Sequence, residues 1–158
     1  MLTRAGPAVL IMAIIADMMP AHAAGTAIRM DRQIFVERTL TDLNGRSRRV
    51  LFSAGRATPG DSLVYVLRWR NATDRIVTQP ILTDAIPPGA QPDPSDPAMQ
   101  VSVDGGRRWG RLDQLWLPTP LGGVRRAVPA DITHIRWRIG QSISPGASGR
   151  IAFRATAR

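Results

Sequence analysis

The chain has 158 residues, 21 basic against 12 acidic side chains, a net charge of +9 and no cysteine. This excludes a disulfide scaffold and any thiolate chemistry, and it leaves enough chain to build one core-bearing domain. Every basic residue is arginine; GC-rich coding accounts for the choice of Arg over Lys, but the excess of base over acid suits anionic partners.

Residues 1–23 have the three parts of a secretory signal peptide: Arg4, an apolar run over 8–19, and the small-x-small site Ala21-His22-Ala23. The run is shorter than the ~20 residues a spanning helix needs. The expectation is cleavage near Ala23, a mature chain of residues 24–158 with no transmembrane anchor, and an extracytoplasmic setting in the periplasm or at the cell surface.

Residues 24–32 read as a loose lead-in. Residues 33–41 (QIFVERTLT) are rich in β-formers, Asn44-Gly45 tolerates the positive φ of a tight turn, and 48–53 return as a second strand. After the turn Pro59-Gly60-Asp61, residues 62–71 alternate most clearly. Leu63, Tyr65, Leu67 and Trp69 define a core face; Val64, Val66, Arg68 and Arg70 lie on the other. Asp74-Arg75 is expected to close a hairpin into a strand over 76–83. Residues 85–97 form a proline-dense loop with no place for a central strand. A strand follows at 99–103, then a long loop over 118–130, then strands at 132–139 and 149–157 with the turn Ser144-Pro145-Gly146 between them. Short alternating strands at this spacing predict an all-β, immunoglobulin-like β-sandwich of about seven or eight strands, preceded by a signal-peptide helix.

The phrases Pro59-Gly60-Asp61, Leu63-Val64-Tyr65 with Asn71, Thr83-Asp84 before Pro87-Pro88-Gly89, and the closing 135–153 region with Ser144-Pro145-Gly146 carry a family likeness. From Phe35 onward the chain resembles the bacterial conserved-repeat domain DUF11, a secreted immunoglobulin-like module. The resemblance implies fold and export and brings no catalytic residues. That family usually forms repeats in large surface proteins, whereas one copy fills the mature chain here.

Ser102-x-Asp104-x-Gly106-x-x-Trp109 looks like an Asp-box, the β-hairpin signature of sialidase-type proteins, with Arg108 where Thr is usual. Its expected role is structural, with Asp104 accepting turn amides and Trp109 covering the hairpin. Asp93, Asp96 and Asp104 could supply Ca²⁺ oxygens, but their spacing matches no binding loop. Asp61, Asp74 and Asp84 are assigned to turns, and the sequon Asn71-Ala72-Thr73 to a turn. His134 is the one histidine of residues 24–158, which argues against a zinc site, and there is no Gly-x-Ser-x-Gly elbow. No catalytic residue, metal or cofactor is expected.

The arginines give the functional lead. His134, Arg136 and Arg138 share one face of their strand, and Arg150, Arg154 and Arg158 share a face of the last one. Pairing of these two strands would join the six into one band, and guanidinium binds phosphate and carboxylate in bidentate fashion. The reading is therefore a non-enzymatic module that binds an envelope protein or an anionic envelope polymer. Nucleic acid is excluded as a partner because export removes it. Strand addition to a partner's sheet is the alternative, and a small hydrolase built on the Asp-rich loops is the least favoured.

Overall fold

The computed structural model describes residues 27–55 and 57–158; the signal-peptide segment lies outside the described residues. Within them the chain is all-β: ten strands pair antiparallel, and the only helical pieces are two single 3₁₀ turns.

One sheet has five strands. β1 (Ile28–Thr41) forms a hairpin with β2 (Ser47–Ser53) through a turn in which the Asp42 carboxylate accepts from the Asn44 and Arg46 amides at 2.9 Å each. β1 also pairs with β3 (Ser62–Asn71), β3 with β10 (Ser148–Ala157), and β10 with the short β5 (Ala90–Pro92), giving the order β2-β1-β3-β10-β5. The second sheet is β4 (Ile81–Ala85), β9 (His134–Arg138) and β6 (Met99–Ser102), in the order β4-β9-β6. A small ribbon of β7 (Trp116–Pro118) and β8 (Val124–Arg126) stands apart from both.

The two larger sheets pack face to face. Val36, Leu63, Tyr65, Leu67, Phe153 and Ala155 of the first meet Met99, Val101, Ile135 and Trp137 of the second in one buried cluster. Tyr65 stacks on Phe153 at 4.7 Å between centroids, and Trp137 leans on the same ring at 5.7 Å. Leu67 is 1% exposed, and burying such a side chain stabilises the fold by about 1.5–3 kcal/mol. The alternation read in residues 62–71 thus sets the inner face of the central strand. Val64 on the opposite side is also buried.

One ion pair ties the layers together. Arg32 points inward from β1 and donates to both Asp84 carboxylate oxygens at 3.2 Å and to the Ala85 carbonyl at 2.9 Å. Asp84 is therefore a mid-strand residue of β4 and not the turn cap expected for it.

The strand partners differ from expectation in two places. Residues 76–83 do not fold back on β3. Val77 makes an isolated bridge to Ile143, Gln79 adopts φ 45°, Pro80 follows, and β4 begins at Ile81 in the other layer. A positive φ beside a proline breaks the ladder, which sends the chain across the core. The second difference concerns the last two strands: β9 pairs with β4 and β6, while β10 pairs with β3 and β5. Their connection crosses between layers, so they form no hairpin. The proline-dense loop also contributes β5, which sits at a sheet edge where Pro92 forfeits no central bond.

Candidate functional site

Ser102, Asp104, Gly106 and Trp109 come together in one turn after β6. Ser102 Oγ donates to Asp104 Oδ1 at 2.8 Å and accepts from the Gly106 amide at 2.9 Å. The same Asp104 oxygen accepts from the Arg107 and Arg108 amides at 3.1 and 2.9 Å. These bonds, the Arg108 amide first and the Ser102 hydroxyl next, hold the Asp104 carboxyl below the usual carboxylate range. Gly105 and Gly106 take φ of 78° and 88°, and Trp109 Nε1 closes the loop on the Gly106 carbonyl at 2.8 Å. Val101 and Gly110 then exchange backbone bonds at 2.8 and 3.1 Å, which makes the unit a closed hairpin. Both Asp104 and Ser102 are spent on the turn itself.

His134 and Arg136 lie against that turn. The Arg136 guanidinium sits 4.4 Å from the Trp109 ring centroid and donates to Gln100 Oε1 at 2.9 Å. The His134 ring meets Trp109 edge-on at 6.4 Å, and its Nδ1 is 3.1 Å from Thr133 Oγ1. Stacking and hydrogen bonding make this pair a brace for the hairpin, leaving Arg138 as the exposed charge of β9.

The single band expected from the six residues does not form. Ile135 and Trp137 face the core from β9, and Phe153 and Ala155 face it from β10. Alternation therefore puts His134, Arg136 and Arg138 on one outer surface and Arg150 and Arg154 on the opposite one. Two members of the β10 set are also occupied. Arg154 binds Glu37 at 3.0 Å, a contact that lowers the carboxyl's pKa and raises that of the guanidinium. Arg158 reaches the Ala130 carbonyl at 3.5 Å.

Arg150 belongs to a different cluster. Across the outer face of the five-stranded sheet, register sets Arg150 beside Arg68 and Arg68 beside Asp31, while the next row sets Arg70 beside Arg29. All four arginines are exposed, and among the described residues none has a carboxylate oxygen within 4.0 Å. Together with Asp31, Trp69, Ser148 and Gly149, they line an open groove of about 450 Å³. Like charges directly opposite one another across strands destabilise a sheet. Here two such rows carry a single acid, Asp31, among their four arginines. Arg68 and Arg70 were legible on the outer face of their strand, but Arg29 fell in the segment read as a lead-in.

The Asp-rich loop has its own hollow of about 370 Å³, lined by Asp93, Ser95, Asp96 and Arg154 among others. Its carboxylates serve the local turns. Asp93 accepts from the Ser95 amide at 3.0 Å, and Asp96 accepts from the Ala98 amide at 2.9 Å and from Trp137 Nε1 at 3.0 Å. Among the described residues no three His, Cys, Asp or Glu side chains converge as a metal site, and Asp93, Asp96 and Asp104 are held in separate turns.

Comparison with family models, with curated proteins and with solved structures finds no match to this chain.

Proposed function

We propose that this chain is a non-enzymatic, immunoglobulin-like β-sandwich module. In this reading it is exported by its N-terminal signal and related to the DUF11-type modules it resembles. It acts at the cell envelope by docking on an anionic, phosphate-bearing polymer. The observation that carries this reading is the unpaired set Arg29, Arg68, Arg70 and Arg150 on the outer face of the five-stranded sheet. A site of this kind needs no catalytic group: it recognises charge and spacing, and guanidinium forks hold phosphate oxygens in bidentate fashion. The engagement of Asp93, Asp96 and Asp104 in their own turns favours binding over hydrolysis.

Fractionation of the native host tests it. The protein sediments with the envelope at low salt and is released at high salt, because exposed charge contacts are screened within ~10 Å at 0.1 M ionic strength. Retention at high salt, or a freely soluble protein at low salt, would contradict the reading.

A further inference from the structure

β1 is longer than the strand that flanks it. Its residues Phe35–Thr41 pair with β2, but along 28–33 no strand among the described residues occupies that side. The Ala72 amide donates to the Ala27 carbonyl on the β3 side, and the Ala54 amide donates to the Ile34 carbonyl on the β2 side. Antiparallel ladders alternate bonding direction residue by residue. Ile28, Met30 and Arg32 therefore turn their backbone N–H and C=O groups toward the open side.

Three of the other sheet edges are less available. β5 has three residues and ends in Pro92. β4 has its Ala85 carbonyl taken by Arg32. β2 carries Arg48 and Arg49 with no acid on the strand. Beside the open stretch of β1 lies a groove of about 780 Å³ lined by Ile28, Met30, Asp31, Thr73, Thr83 and Asp84, among others.

The geometry points to a second copy of this chain as the occupant, with the two β1 strands pairing antiparallel about Met30. In that register Met30 bonds its own counterpart, Ile28 bonds Arg32, and the open stretch of each strand is filled. On the outer face each Arg29 then lies directly opposite Asp31 of the other copy, twice by symmetry. Shifting the centre by one residue to Asp31 would set the two aspartates against each other. The alternation Arg29-x-Asp31 thus selects one self-complementary register and joins two five-stranded sheets into one. The seam shares Arg29 with the anion-binding set, but Arg68, Arg70 and Arg150 take no part in it, so dimer formation is tested separately from polymer binding.

Sedimentation velocity of the purified protein over roughly a hundredfold range of concentration tests it. The expected result is a reversible dimer whose formation protects the Met30 and Arg32 amides from hydrogen exchange. Asp31→Arg, which sets like charges opposite one another, weakens the dimer by about tenfold or more. The reversed pair R29D/D31R restores it. A monomer at every concentration, a dimer indifferent to D31R, or a folded R29D/D31R that stays monomeric would overturn the proposal. The amide protection decides the matter if D31R itself fails to fold.

Discussion

The indole of Trp69 lies against Gly149, its partner in the neighbouring strand, so closely that a Cβ at Gly149 would come within 2.6 Å of the ring atom Cε2. The glycine here provides room, not backbone freedom. The ring closes the end of the core where Ile28, Leu82 and Ile143 form a second small cluster.

Gly149→Ala should therefore destabilise the protein by about 1–3 kcal/mol, the usual penalty for overpacking. Urea unfolding checks this through the midpoint at unchanged slope. A midpoint equal to that of the parent would show that the indole yields without penalty.

Ser102→Ala removes the hydroxyl that both donates to Asp104 and accepts from the Gly106 amide, at a residue with no solvent exposure. Leaving those partners unmet costs about 1–3 kcal/mol. The loss should be accompanied by faster exchange of the Gly106, Arg107 and Arg108 amides, and unchanged exchange there would place the stabilisation elsewhere.

Asn71 has no solvent exposure and uses its whole amide. Its Nδ2 donates to the Arg75 and Ile143 carbonyls at 2.7 and 3.0 Å, and its Oδ1 accepts from the Thr73 amide and hydroxyl at 3.0 and 2.7 Å. The sequon is thus a structural knot. Asn71→Ala should cost about 2–3 kcal/mol. Oligosaccharyltransferase treatment of the folded protein should leave its mass unchanged, and a glycan on Asn71 would contradict the burial.

Acid should weaken the fold through four carboxylates. Arg154 holds Glu37 low, the Thr58 amide and hydroxyl hold Asp61 low, the Arg108 amide and Ser102 hold Asp104 low, and Arg125 holds Asp131 low. A depressed folded-state pKa contributes stability that is present above the unfolded values, 3.8 for Asp and 4.5 for Glu. That contribution is lost as pH falls through the lower folded-state values. Stability should therefore hold from pH 7 down to the unfolded range and decline below it. A flat profile into stronger acid would mean these contacts do not contribute.

The faces of the strands were legible in the sequence, and their partners were not. Alternation in residues 62–71 and 149–157 reports which side is buried, because that depends on each side chain alone. Pairing depends on where the chain crosses between layers, and the break at Gln79-Pro80 carries no period-two signature. Strands of three residues, such as β5 and β8, are too short to alternate visibly. β1 began earlier than expected because Arg32 occupies an inward position, where its bonds to Asp84 and Ala85 compensate a charge that pattern reading counts as a break. That one inward arginine hid Arg29, and with it the cluster on the outer face.

The most direct test compares binding of purified protein to an immobilised phosphate-bearing envelope polysaccharide with binding to its dephosphorylated form. The parent and two variants, R68S/R70S/R150S and R136S/R138S, are measured over a range of salt. Binding by the parent should require phosphate and weaken steadily with salt. The first variant should lose about a thousandfold or more in affinity, at roughly tenfold or more for each of its three charge-assisted contacts, while the second stays near the parent. Equal binding by R68S/R70S/R150S and the parent would contradict the assignment of this face as the docking surface.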